Sequence, residues 1–315
     1  MVIPLDPEVA DALRRRAEAG PRRGAPARGD VLALRAEIDA YLTDTFGALP
    51  AAPDVSCEVV ELPTSDGGAI EGRWYIRAGE APGSAVVYLH GGGLFCGTLD
   101  NYEPLVRHYV QRTGVPFLSV GYRLAPESPG ETPASDSYDA LRWTIEHAAQ
   151  RGVDSTRVAV MGDSGGGGSA AAAAILARER GLGLARQILV YPMLDDRTTT
   201  PDPLLAATAT WTYDNHVTAW QALLGQDVGS AHVSPIVAPA RLEDFDGLAP
   251  AYVEVGELDI FRDESIHYAQ RLMRAGVSCE LHVHPGAPHA HEWVSPEATI
   301  SKRAIALRLA AVRRV

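Results

Sequence analysis

The sequence predicts an α/β fold, a mostly parallel central sheet with helices on both faces. Three observations lead there. From Ala85 onward, short apolar runs alternate with helical patterns, the mark of successive βα units. The run Arg157-Val158-Ala159-Val160-Met161 passes through Gly162-Asp163-Ser164-Gly165-Gly166 into an alanine-rich stretch, which reads as strand, sharp turn and helix. Finally, 46% of the 315 residues are hydrophobic, enough to bury both faces of a large sheet.

The elements follow in order. Asp6-Pro7-Glu8 is a helix start, with an N-cap, a first-turn proline and an acid that suits the dipole. That helix runs to about Ala19, where Gly20-Pro21 stops it. A second, from about Asp30 to Thr45, places Leu32, Leu34, Ile38 and Leu42 roughly on one side. Neither helix buries its apolar stripe alone, so both must cover a surface. Cys57–Leu62 and Ile70–Ile76 form a hairpin about Asp66-Gly67-Gly68. Further strands are expected at Ala85–Leu89, Val115–Val120, Arg157–Met161, Gln187–Tyr191, Ala251–Val255 and Ser278–Val283. Helices are expected at Glu103–Gln111, Ser135–Arg151, Gly167–Arg180, Glu264–Ala275 and Ser295–Val312. The stretch from Asp195 to about Val237 breaks the alternation, carries Trp211, Tyr213 and Trp220, and reads as mainly helical. It is expected to be an inserted lid packed with the N-terminal helices over the strand ends, rather than an ordinary crossover. The chain thus divides into cap helices over 1–50 and a main domain over 51–315, with the insertion at about 195–237.

Composition excludes several functions. The formal net charge of −12 lacks the basic footprint that nucleic acid or an anionic membrane surface requires. Arg14-Arg15-Arg16 and Arg22-Arg23 read as a solvated helix face. Cys57, Cys96 and Cys279 are too few and too scattered for a disulfide framework or a metal site, which points to a reducing, cytoplasmic setting. The N-terminus has no signal-peptide pattern, and no apolar run is long enough for a membrane helix.

Ser164 sits at the apex of the turn, at the carboxyl end of a predicted strand, where parallel sheets bind ligands. Glycines two before and two after it allow strand and helix to pass closely. A phosphate-binding loop would also use such glycines, so the rest of the chain must decide. A serine nucleophile needs a base, an acid to orient that base, and donors for the oxyanion. Tyr88-Leu89-His90-Gly91-Gly92-Gly93 sets a strand directly before a glycine run whose N–H groups can turn toward one point. Gly165 offers a further N–H, and such donors contribute roughly 3–4 kcal/mol each. Four of the ten histidines crowd late in the chain. His282 and His284 alternate within a strand and read as structural. His289 follows the rigid turn Pro285-Gly286-Ala287-Pro288 and is the favoured base, with His291 as competitor. Asp259 follows the preceding strand and is the favoured acid. Its rivals Asp263 and Glu264 fall at a helix start, where a carboxylate opposes the dipole. The order Ser164, Asp259, His289 suits this architecture.

Four motifs resemble the hormone-sensitive-lipase-like family of α/β-hydrolases, bacterial carboxylesterases in particular. They are His90-Gly91-Gly92-Gly93, Tyr122-Arg123-Leu124-Ala125-Pro126-Glu127, Gly162-Asp163-Ser164-Gly165-Gly166 and Gly286-Ala287-Pro288-His289, with Tyr191-Pro192-Met193-Leu194-Asp195 in support. The resemblance runs from about Ala85 to the C-terminus. It implies an α/β-hydrolase fold with a helical cap, Ser164 as nucleophile, Asp259 as acid and His289 as base. It implies oxyanion donors at Gly92, Gly93 and Gly165, and no cofactor or metal. It also implies hydrolysis of small-molecule esters with short acyl chains. His90 and Tyr122–Glu127 become scaffold for the oxyanion loop. Three positions depart from the family pattern: Gly165, where alanine is frequent; Ala290-His291, where Gly-Phe is frequent; and Cys96 in the oxyanion loop. These departures bear on substrate more than on reaction type. An acyltransferase, lactonase or amidase would use the same triad, and a hydrolase fold kept as a small-molecule receptor would have lost part of it. A homodimer is compatible with all of this.

Overall fold

The computed structural model describes residues 3–18, 26–80 and 83–315. An eight-stranded sheet has the order β1-β2-β4-β3-β5-β6-β7-β8. The strands are β1 Val55–Pro63, β2 Ala69–Arg77, β3 Ala85–Leu89, β4 Phe117–Val120, β5 Val158–Asp163, β6 Arg186–Val190, β7 Ala251–Gly256 and β8 Cys279–His284. Only β2 runs against the others, pairing antiparallel with β1 and β4. The strands β3, β4, β5 and β7 are buried along their whole length, which is why they read as unbroken apolar runs rather than alternating ones.

Successive residues of these strands feed two cores. Val87, Leu89 and Val160 pack on one side with α4 (Thr132–Glu146), α5 (Gly165–Glu179) and α8 (Arg262–Arg274). Val86, Tyr88 and Met161 pack on the other with α3 (Leu99–Thr113) and α10 (Thr299–Arg313). Residues Gly165 to Ala177 of α5 are all buried. Its glycines and alanines let it press against both the sheet and α4, a close approach that larger side chains would prevent.

Where boundaries differ from expectation, the cause is local chemistry. α3 starts at Leu99 rather than Glu103, because Thr98 Oγ1 accepts from Asn101 N at 3.1 Å. α4 stops at Glu146, and the segment expected to continue to Arg151 closes as a 3-10 turn, Ala149–Arg151. The last expected helix, Ser295–Val312, starts instead at Thr299 (α10), and a separate short helix, α9 His291–Val294, precedes it. Ser295 precedes Pro296, which disfavours the helical region there. α10 has no cap of its own, and Glu8 Oε2 accepts from Thr299 N at 2.8 Å.

At the N-terminus, α1 (Pro7–Glu18) is capped by Asp6 Oδ1, which accepts from Glu8 N and Val9 N. The expected stop at Ala19, Gly20 and Pro21, and the pair Arg22-Arg23, lie outside the described residues. Arg14 and Arg15 face solvent, but Arg16 does not belong to that face. Its guanidinium lies 4.4 Å from the centre of the Tyr41 ring and lines the main cavity. α2 (Val31–Gly47) contacts α7 (Tyr213–Leu224), and Gly29 N donates to Thr218 Oγ1 at 2.9 Å. The segment 195–237 is less helical than expected. It holds only α6 (Pro203–Ala206), α7 and one 3-10 turn, joined by turns that polar side chains tie down. Among the described residues, no helix is long and apolar enough to cross a membrane.

Candidate active site

β5 ends at Asp163 and α5 begins at Gly165, so Ser164 is the whole turn, with φ 55° and ψ −118°. This conformation is costly for a residue with a side chain, and the surroundings must enforce it. They do so by close approach. A Cβ on Gly162 would lie 2.1 Å from Gly166 O, and one on Gly166 would lie 2.1 Å from Leu89 O. Ser164 N donates to Val190 O, and Ser164 O accepts from Met193 N, both at 2.9 Å.

The structure brings the three expected side chains together. His289 Nε2 is 3.1 Å from Ser164 Oγ, and His289 Nδ1 is 2.7 Å from Asp259 Oδ2. A carboxylate only accepts, so the tautomer carries its proton on Nδ1 and leaves Nε2 to accept from the serine hydroxyl. Asp259 is held by Phe261 N, which donates to its Oδ1 at 3.0 Å. Edge contacts from Tyr191 and Phe261 fix the imidazole plane. Thr210 Oγ1 donates to His289 O at 2.6 Å, and Asp6 N donates to Gly286 O at 2.9 Å. The N-terminal segment therefore props the turn that carries the histidine.

The rivals have other roles. Asp263 pairs with Arg262 at the surface. Glu264 does more than oppose a dipole. It is buried, accepts from Leu194 N at 2.6 Å and Asp195 N at 3.2 Å, and takes the Thr198 hydroxyl at 2.6 Å. It thereby anchors the start of the 195–237 segment, and burial pushes its carboxyl well above the usual range. His282 pairs with Glu280. His291 is buried on α9, its ring 5.4 Å from His284, and burial lowers its imidazole.

The loop after β3 places Gly92 and Gly93 beside Gly165. Among the described residues, the N–H groups of all three have no protein acceptor. Gly92 (φ 115°), Gly93 (φ 58°), Leu94 (φ 66°) and Gly97 (φ 89°) are all left-handed. His90 stacks on Tyr122, whose hydroxyl donates to His90 O at 2.6 Å. Burial lowers the His90 imidazole to about 4, so it stays neutral as scaffold. Gly165 has a reason to lack a side chain here: a Cβ would lie 2.8 Å from both Gly93 N and Leu94 N. Gly165→Ala should therefore push the loop outward and lower kcat by roughly 10- to 100-fold, because small misplacements of catalytic groups are costly. Steady-state kinetics on a short p-nitrophenyl ester checks this, and unchanged kcat would remove the argument.

Two features escaped the sequence reading. Asp163 lies under the turn, takes the Tyr88 hydroxyl, and sits 3.4 Å from the Tyr102 hydroxyl. Burial raises its carboxyl to about 6. Behind His289, the fully buried Arg308 donates to Glu254 Oε1 at 2.8 Å, Glu292 Oε1 at 2.6 Å and Tyr109 Oη at 2.9 Å. Tyr191 Oη in turn donates to Glu292 Oε1 at 3.0 Å. The available signal was Arg308 itself, a cation spaced four residues from Ala304 and Val312 on the buried side of α10.

Above the serine lies a cavity of about 430 Å³, lined mainly by apolar groups such as Leu34, Ile38, Phe46, Trp211 and Trp293. Its walls come from α1, α2, residues 209–215 and α9 as well as from the sheet.

Residues 86–292 match the family described as alpha/beta hydrolase fold. The chain is 35% identical over 243 residues to an ethyl acetate hydrolase of Pseudomonas putida, covering 73% of this chain and 74% of that one. It is 36% identical over 232 residues to carboxylesterase NlhH of Mycobacterium tuberculosis, covering 73% of each. Among solved structures it resembles a bacterial heroin esterase, with TM-score 0.88 and 35% identity over 98% of this chain and 97% of that one. It also resembles an esterase of Pyrobaculum calidifontis, with TM-score 0.83 and 28% identity over 99% of each. The motifs, the sheet and these relatives agree, and the chain belongs to the hormone-sensitive-lipase-like family of α/β-hydrolases.

Proposed function

We propose that the chain is a serine carboxylesterase acting on small-molecule esters of short to medium acyl chain. One observation carries the reading: an unbroken relay from Asp259 through His289 to Ser164, beside N–H groups that no described residue occupies. Ser164 Oγ attacks the ester carbonyl carbon while His289 Nε2 takes its proton. The carbonyl oxygen becomes an oxyanion held by the N–H groups of Gly92, Gly93 and Gly165. Collapse breaks the bond to the alkoxy oxygen, which leaves with the proton from His289. Water then attacks the acyl-serine with the same histidine as base, releasing the acid and restoring Ser164. Asp259 stays ionised and orients the ring.

In this reading α1, α2 and the 195–237 segment are a cap that roofs the site. A roof of helices over a cavity of about 430 Å³ limits acyl length. Each buried CH₂ contributes only ~0.8 kcal/mol, and only until the wall is reached. On p-nitrophenyl esters kcat/KM should rise, peak between about two and eight carbons, and fall steeply beyond. A profile still climbing at palmitoyl esters would reject the closed cap.

The nucleophile is tested separately. A fluorophosphonate should label the wild type one-to-one and abolish turnover, whereas Ser164→Ala should fold, resist the label and lose on the order of 10³-fold or more in activity. A folded Ser164→Ala enzyme with near wild-type turnover would overturn the assignment. Competing alcohols or amines that divert the acyl group from water at low concentration would make the enzyme an acyltransferase instead.

A further inference from the structure

We infer that Arg35 and Asp39 of α2 are positioning residues that hold the oxyanion loop in its donating conformation. The inference rests on the serine esterase reading above, and makes α2 act on the chemical step as well as on substrate binding. Arg35 and Asp39 lie one helical turn apart, so both project from the same side of α2. Arg35 Nε donates to Phe95 O at 2.6 Å, and its Nη2 to Ala125 O at 2.6 Å. The same guanidinium grips both oxygens of Glu127, at 2.8 and 2.7 Å. Asp39 Oδ1 accepts from Gly97 N at 2.7 Å. Cap helix, oxyanion loop and the Tyr122–Glu127 segment are thus tied at one point.

The loop needs such a tie. Leu94 has a left-handed backbone at φ 66°, flanked by three left-handed glycines. Such strain persists only where neighbours over-determine it. The transmission is geometric. Gly92 O accepts from Phe95 N at 3.1 Å, Cys96 N at 3.0 Å and the Cys96 thiol at 3.1 Å. The Gly92–Gly93 peptide is planar and trans, so its C=O and N–H point opposite ways. Pinning Phe95 and Gly97 from α2 pins Gly92 O, and the Gly93 N–H is thereby aimed away from the loop. Glu127 is largely exposed, so the ion pair by itself adds little stability. The consequence belongs to kcat.

The variants Arg35→Met and Asp39→Ala test this against Asp39→Asn, which keeps an acceptor for Gly97 N, and against Leu32→Ser, whose side chain faces solvent rather than joining Leu34 and Leu42 on the buried side of the helix as expected. With p-nitrophenyl butyrate, the first two should lower kcat by roughly 10- to 100-fold with KM nearly unchanged. Affinity for a trifluoromethyl ketone, which forms a tetrahedral oxyanion on Ser164, should fall by the same factor. Amide exchange at residues 92–97 should accelerate. Asp39→Asn and Leu32→Ser should stay near wild type. A change confined to KM, or unchanged kcat in both folded variants, overturns the proposal. If the wild type hydrolyses no ester, the functional reading fails by itself. Exchange then decides the clamp alone, and unaltered protection of 92–97 in Arg35→Met refutes it.

Discussion

His289→Ala is expected to lower kcat/KM by roughly 10³- to 10⁴-fold, about as much as loss of Ser164, because members of a triad act as a unit. Among the described residues, His289 is the base hydrogen-bonded to Ser164 Oγ, and without its imidazole Asp259 has nothing to orient. His291→Ala should cost far less. Its ring is buried against His284 on α9 and touches neither Ser164 nor Asp259. Both variants should be compared at saturating and limiting substrate, with folding checked by circular dichroism. A dead His291 variant beside an active His289 variant would reverse the assignment.

Arg308→Met should be the most destabilising substitution behind the site, by roughly 3–5 kcal/mol, with Tm falling on the order of 10 °C. The reason is the two carboxylates it would strand, since Glu254 and Glu292 are as buried as Arg308. Burial raises the Glu254 carboxyl, but the Arg308 charge together with His284 and the Tyr252 hydroxyl outweighs this and holds it at about 2. A carboxyl whose pKa is lower in the folded than in the unfolded protein stabilises the fold above about 4.5, its unfolded value. That stabilisation is lost as pH falls toward 2. In Arg308→Met the stranded carboxyls can protonate instead. The gap in Tm between variant and wild type should therefore be widest near neutrality and narrow below about pH 4.5. Adding Glu254→Gln and Glu292→Gln should recover part of the loss. Thermal melts from pH 3 to 8 check this, and a constant gap would show that buried charge is not the cause. The cost should reach activity as well, because Glu292 holds Tyr191, whose ring packs on His289.

Much of this was legible beforehand for a local reason. The turn at Ser164 needs glycines at fixed spacing, and a buried parallel strand needs an unbroken apolar run. Both requirements are written within a few consecutive residues. Element ends were less legible. The last helix starts later than expected because Pro296 follows Ser295, and α10 is capped by Glu8, a residue nearly the whole chain away. The 195–237 segment looked more helical than it is, because polar contacts with Glu264 and Asp196 hold its turns.

The sequence by itself determined the sheet class, the sharp turn that carries Ser164 and the glycine-rich loop after β3, since these follow from backbone conformation and steric approach between near neighbours. Tertiary structure decided that the favoured His289, rather than His291, reaches Ser164, and that the favoured Asp259, rather than Asp263 or Glu264, reaches that histidine. It also decided that α2 turns Arg35 and Asp39 onto the oxyanion loop, and that Arg308 is buried with two carboxylates. Hydrogen bonds and ion pairs act over about 3 Å and require a particular orientation. Whether two residues far apart in the chain achieve that is set by how the helices pack, not by their spacing.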